Sequence, residues 1–174
     1  MNYVKITSPD INNGNGTRVT IWFSGCQHNC KGCQNDWLQD YKIGKEFDQK
    51  AIDEVYEKVS VGYYMDGITL SGGDPLHQTE ESLKVLSNFV KKFKEDFPDK
   101  NIWLYTGFKL EDIFNGNDAL SIGRQNVLKY VDYVVDGKFE IDKKDCGLAF
   151  RGSSNQNIWK LPEKVVVKDE VFQN

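Results

Sequence analysis

Arg18-Val19-Thr20-Ile21-Trp22-Phe23-Ser24-Gly25-Cys26-Gln27-His28-Asn29-Cys30-Lys31-Gly32-Cys33 joins a run of β-branched and aromatic residues to a polar loop carrying three of the chain's four cysteines. Arg18 to Phe23 predicts a strand. The loop is too rich in glycine and polar side chains to continue it. The same unit, a short apolar run ending in a glycine-bearing polar loop, recurs three times. Gly67 to Leu70 leads into Ser71-Gly72-Gly73-Asp74-Pro75-Leu76, Ile102 to Tyr105 into Thr106-Gly107, and Tyr133 to Val135 into Asp136-Gly137-Lys138.

Helical periods separate these runs. Ile52, Val55, Tyr56 and Val59 follow helical spacing from Asp48 onward. The clearest helix has Thr79 as its cap, Glu80 and Glu81 in its first turn, and a stripe of Leu86, Phe89, Val90, Phe93 and Phe97, with Pro98 just beyond. Lys109 to Phe114 reads as a short helix closed by Asn115-Gly116, and Ser121 to Tyr130 as another. Asn157 to Leu161 and Lys164 to Val167 read as extended segments split by Pro162.

Strands alternating with helices predict an α/β fold of right-handed βαβ units on a mostly parallel sheet. A closed eight-stranded barrel takes about 250 residues, and about five units are visible here, so a partial, open β/α barrel is expected. The four glycine-bearing loops all come after strand C-termini. In parallel α/β architectures that end of the sheet is where ligands bind. The 174 residues fit one domain, 1–174, with roughly the last twelve residues read as a tail.

Bulk properties exclude several classes. Net charge is −4, and the densest lysine cluster, Lys91, Lys92 and Lys94, sits beside Glu95 and Asp96. That is a solvated helix face rather than a nucleic-acid patch. No apolar run reaches the roughly 18–20 residues of a membrane span, and Met1 to Asp10 lacks a signal-peptide layout. No membrane and no nucleic-acid partner are expected, and the expected location is cytoplasmic.

Cys26, Cys30 and Cys33 form a CxxxCxxC motif. Three thiolates on one loop would leave one iron of a four-iron cluster with an open coordination position, and open positions belong to catalytic centres. The alternative is zinc, with His28 or Cys146 as fourth ligand, although His28 between the first two cysteines would have to fold back on the loop. Elsewhere His77 reads as a helix-entry histidine, Trp22 and Trp103 as core, and Trp37 as core or partner surface.

CxxxCxxC after a first strand resembles the radical S-adenosylmethionine superfamily. The resemblance implies a [4Fe–4S] cluster on Cys26, Cys30 and Cys33, and S-adenosyl-L-methionine as second cofactor. Ser71 to Leu76 is similar to the superfamily's glycine-rich motif, so Gly72, Gly73 and Asp74 are expected to hold the cofactor's amino group. The two glycines would let the backbone approach it closely. The family often has Glu where this chain has Asp74. Thr106 falls in the third-strand motif near the cofactor. Asp136 and Lys138 resemble an aspartate–x–lysine signature of glycyl-radical-activating enzymes, in which Lys138 would face the methionine carboxylate.

Asn13 to Arg18 and Phe150 to Gln156 extend the likeness to the activating proteins of anaerobic (class III) ribonucleotide reductase, from about Tyr3 to Trp159. Read on its own residues, Arg151 to Gln156 would hold a ribose, a carboxylate or backbone; under the resemblance Arg151 joins the cofactor site. The implied activity is reductive cleavage of S-adenosylmethionine and formation of a glycyl radical on the large subunit of the reductase. No catalytic side chain is implied beyond the cluster and cofactor site, and a low-potential donor such as flavodoxin would supply electrons. A radical must be shielded from solvent, and little chain is left over for a lid, so a protein substrate would also serve as cover. Action on another glycyl-radical enzyme or on a small heterocycle, and a non-enzymatic zinc module, are the alternatives.

Overall fold

Val19, Ile21 and Phe23 point to one side of their strand and Arg18, Thr20 and Trp22 to the other, and this two-sidedness organises the molecule. In the computed structural model, which describes residues 1–61 and 64–172, eight strands form one sheet in the order β3-β1-β2-β4-β5-β6-β7-β8. They are β1 (Asn2–Asp10), β2 (Arg18–Phe23), β3 (Lys45–Glu46), β4 (Gly67–Gly72), β5 (Asn101–Tyr105), β6 (Tyr133–Asp136), β7 (Asn157–Lys160) and β8 (Val165–Val166). The four strands read from the sequence as carrying the polar loops, β2, β4, β5 and β6, are adjacent and parallel. This is the partial, open β/α barrel the alternation predicts.

Both margins are antiparallel: β1 pairs with β2 and β3, and β7 pairs with β6 and β8. Strand β1 was not visible in the sequence. Most of its residues are half-buried on both faces, so it carries no apolar stripe to announce it. The C-terminal pair is a hairpin with Pro162 in its turn, where it removes no ladder donor.

Four helices cover one face. In α1 (Gln49–Ser60), Asp48 accepts from Ala51 N–H at 3.0 Å, and Ala51, Val55 and Val59 recur four apart toward the sheet. In α2 (Glu80–Asp96), Thr79 caps as expected, and Leu83, Leu86, Phe89, Val90 and Phe93 are buried. The chain continues through α3 (Leu110–Asn115) and α4 (Ala119–Leu128). The last starts two residues earlier than its apolar pattern suggested, because Asp118 caps it by accepting from Ser121 N–H at 3.0 Å. Ile21, Leu70, Leu104 and Val134 stand in one register row beneath these helices, all at 0 % exposure. Among the described residues no helix is long and apolar enough to cross a membrane.

The opposite face is concave. Its rows are Thr20, Thr69, Trp103 and Tyr133, and then, nearer the strand C-termini, Trp22, Ser71, Tyr105 and Val135. A second apolar cluster of Trp103, Val135 and Ile158 fills its lower part. The expected tail belongs to this cluster. Phe172 packs against Trp103 and Phe150 at ring-centre distances of 5.6 and 5.4 Å, and Val167 N–H donates to Ile158 C=O at 2.8 Å. Residues 165–172 therefore fold back onto the sheet; the end of the expected tail, residues 173–174, lies outside the described residues.

Arg18 is buried completely at the start of β2. Its guanidinium donates to Thr69 Oγ1 (2.7 Å) and to the carbonyls of Asn15 (2.8 Å), Ile68 (2.6 Å) and Asn101 (3.1 Å). Burial lowers its pKa to about 10, which still leaves it charged at neutral pH. Within Asn13 to Arg18, Gly14 has a φ of +121°, and a side chain there would meet the Trp103 ring at 2.7 Å. This stretch is a structural plug under the concave face, and only Asn12 and Asn13 on its approach reach the cleft above.

Candidate functional site

The cysteine loop leaves β2 and is laced to its neighbours through backbone. Gly25 N–H donates to Leu38 C=O (2.8 Å) and Cys26 N–H to Gln39 C=O (3.0 Å). From the β4 loop, Gly73 N–H reaches Phe23 C=O (2.8 Å) and Asp74 N–H reaches Gly25 C=O (3.0 Å). Cys33 N–H returns to Cys30 C=O at 3.2 Å, a tight turn in which Gly32 has a φ of +72°. The loops after β2, β4, β5 and β6 thus converge on one end of the sheet, around a cleft of about 360 Å³. That volume falls within the roughly 300–1,000 Å³ of small-molecule sites.

Of the residues singled out from the sequence, Cys26, Cys30, Cys33, Gly72, Gly73, Thr106, Lys138 and Arg151 all line this cleft. Asp74 and Asp136 do not. Asp136 is buried behind the β6 loop. Its carboxylate accepts from Leu110 N–H (2.9 Å) at the start of α3 and from Asn157 N–H (3.3 Å) at the start of β7, so it fastens elements together. Asp74 is fully buried beneath the cleft, with Oδ2 accepting from His28 Nε2 (2.8 Å), Thr106 Oγ1 (3.0 Å) and Gly107 N–H (2.8 Å), and Oδ1 from Leu76 N–H (2.8 Å).

The glycines answer to the protein's own backbone. A side chain on Gly73 would stand 2.7 Å from Gly25 C=O and 2.8 Å from Leu38 C=O, and one on Gly72 would stand 2.2 Å from Phe23 C=O. The β4 loop needs glycine because it is pressed against the cysteine loop. The polar segment Arg151 to Gln156 is similar. Asn155 donates to Lys138 C=O (2.8 Å), and Gln156 ties Gly137 C=O (2.9 Å) to Gly152 N–H (3.0 Å). Arg151 holds a carboxylate, that of Asp169. Lys138 is exposed at the rim and makes no ion pair among the described residues.

Trp22, Asn35, Tyr105 and Phe150 also line the cleft, although none of them was among the expected cofactor ligands. Trp22 was expected in the core, yet it shares the face of Arg18 and Thr20; its Nε1–H donates to Thr7 Oγ1 at 2.9 Å. The phase of the alternation in β2 carried that signal, since Trp22 is out of step with Val19, Ile21 and Phe23. Trp103 is core as expected, and Trp37 is 50 % exposed beside the site.

The donor set suits a cluster. All four cysteines are free, and burial pushes the Cys26 thiol up to about 12 and raises Cys30 as well. Such thiols become ligands only when a metal centre displaces their protons. Another grouping is present too. One donor atom each from Cys26, His28 and His77 lies within 4.8 Å of the others. His28 does fold back toward the loop's base, but its Nε2 is engaged by Asp74, and His77 Nδ1 accepts from Gln27 N–H at 3.3 Å. Cys30 and Cys33 lie outside that trio, which would leave two of three clustered thiols without a role.

Residues 12–159 match the family model of a 4Fe-4S single cluster domain. That match, on an open β/α barrel, makes this a protein of the radical S-adenosylmethionine superfamily. The chain is similar to anaerobic ribonucleoside-triphosphate reductase-activating proteins from several organisms. Identity is 42 % with that of Pasteurella multocida, covering 94 % of this chain and 99 % of the relative. It is 39 % with that of Enterobacteria phage T4 (95 % and 97 % covered), and 37 % with that of Escherichia coli K12 (92 % and 99 % covered). The chain belongs to this family of activating proteins.

Proposed function

We propose that this chain generates the glycyl radical of an anaerobic ribonucleotide reductase, using a [4Fe–4S] cluster held by Cys26, Cys30 and Cys33 together with S-adenosylmethionine. The observation that carries the reading is the convergence of three free thiols and the loops after β2, β4, β5 and β6 on one cleft. Cys26, Cys30 and Cys33 would hold the cluster, which when bound would supply the electron for reductive cleavage of S-adenosylmethionine and so for hydrogen-atom abstraction from a glycine Cα of the reductase.

The chain's own residues bind, orient and shield. Gly72, Gly73 and Thr106 form the floor on which the methionine end of the cofactor rests. Lys138, unpaired among the described residues, brings positive charge to a cleft that must take a carboxylate, while Arg151, held by Asp169, forms part of the wall. Trp22, Tyr105 and Phe150 offer the apolar surface that an adenine needs. The cleft is open, so the reductase itself excludes water when it docks over the cysteine loop, with Gln34 to Trp37 at the contact. Electrons come from a low-potential donor such as flavodoxin. The whole chain acts as one domain, and its four free thiols suit the reducing cytoplasm.

The test is anaerobic reconstitution with iron and sulfide, then reduction with S-adenosylmethionine and the cognate reductase large subunit. Deoxyadenosine and a protein-centred radical signal, altered by isotopic substitution at glycine Cα, are expected. Deoxyadenosine without a radical on the reductase would leave the cofactor chemistry standing and overturn the partner. Zinc instead of iron, with no S-adenosylmethionine binding, would overturn both.

A further inference from the structure

His28 occupies a seat built from the loops after β4 and β5. Its ring stacks at an angle on His77 (4.8 Å between centres), meets Phe108 edge-on (4.7 Å), and lies so close to Gly107 that a side chain there would stand 2.3 Å from its Cδ2. At the bottom of the seat its Nε2–H donates to Asp74. That carboxylate also gathers Thr106 Oγ1 and Gly107 N–H from the β5 loop, and Leu76 N–H from its own. One buried carboxylate therefore joins the cysteine loop, through a residue midway between Cys26 and Cys30, to both loops that floor the cleft.

Resting on the cofactor reading above, we propose that His28 is a positioning residue. It fixes the Cys26–Cys30 arc against the loops after β4 and β5, and Asp74 acts through His28, Thr106 and Gly107 rather than by touching the cofactor. The burial of Asp74 supports this. Its carboxylate accepts four hydrogen bonds from the protein, and it neither reaches solvent nor lines the cleft. Gly107 has its own part: it is glycine because His28 needs the space, not because the backbone there has an unusual conformation. Partners of this outer kind orient metal ligands and typically change site affinity by about 10–100-fold when removed.

The experiment uses the reconstituted full chain and reads the affinity for S-adenosylmethionine from the change it causes in the spectrum of the reduced cluster. It also reads the cluster's reduction potential. His28→Ala should weaken binding about tenfold and shift the potential with the three cysteines intact. His28→Gln, whose amide can donate from a similar position, should recover most of the loss. Gly107→Ala should resemble His28→Ala when alone and add nothing in the His28→Ala background, since the clash has gone. If His28→Ala loads no cluster, the Gln variant and Gly107→Ala carry the reading by the same criteria. Wild-type affinity and potential in His28→Ala, or an equal effect of Gly107→Ala in both backgrounds, would overturn the proposal. Absence of a cluster from the wild-type chain would instead overturn the cofactor reading.

Discussion

Arg151 donates from one terminal nitrogen to both carboxylate oxygens of Asp169, each at 2.7 Å, and so ties residues 165–172 to the wall of the cleft. The side chains are 13 % and 23 % exposed, which places the pair under partial cover. Asp169→Ala strands the guanidinium there, and the chain should lose about 1.5–3 kcal/mol, as for hydrogen bonds to charged groups. Urea unfolding would show it as a lower midpoint with an unchanged slope.

Cys30→Ala should abolish the iron chromophore after reconstitution, whereas Cys146→Ala should retain iron and sulfide at the wild-type ratio. Cys146 is exposed and does not line the cleft. Loss of iron in the Cys146 variant would contradict a three-cysteine site.

Gly73→Val would drive a branched side chain into Gly25 C=O and Leu38 C=O at the root of the cysteine loop. The expected cost is about 1–3 kcal/mol, as for overpacking elsewhere. Because the strain falls on the loop that carries Cys26, iron content should fall together with S-adenosylmethionine binding. Full iron content with selectively weakened cofactor binding would show instead that the glycine makes room for the ligand.

Arg18→Met keeps much of the side-chain volume but leaves the carbonyls of Asn15, Ile68 and Asn101 without their donor. Uncompensated buried polar groups cost about 1–3 kcal/mol each, so a substantially lower melting temperature is expected. Iron loading measured at low temperature should stay close to wild type, since Arg18 lies at the far end of the strands from the thiols.

Trp37 is half exposed, with Lys5 Nζ 5.7 Å from its ring centre, and it comes soon after the cysteine loop in the chain. Trp37→Ala should leave iron content and melting temperature unchanged while weakening reductase binding by roughly 30-fold or more, the size expected of an interfacial aromatic anchor. Titration calorimetry with the large subunit would measure it.

How far the sequence revealed this molecule depended on how local each feature is. Strand β2 and the cap at Thr79 were legible because β-branching and capping act within a few residues. The cysteine loop was legible because three thiols at that spacing have few other uses. The destinations of Asp74 and Asp136 were not. Their partners, His28 and Leu110, stand 46 and 26 residues away, so the direction of each carboxylate is settled only when the sheet assembles. Residues 165–172 looked like a tail for the same reason, since Phe172 finds Trp103 only across the concave face.

The docking of Phe172 also orders events in time. The three clustered thiols are made early, and the segment that packs on Trp103 and holds Arg151 of the cleft wall is made late. At about 5–20 residues per second, a ribosome takes roughly 7–28 s to travel from Cys33 to Phe172. During that interval the growing chain carries its sulfurs while the packing of Phe172 on Trp103 and the Arg151–Asp169 pair are still missing. Loading of iron is therefore best suited to a chain that has already left the ribosome.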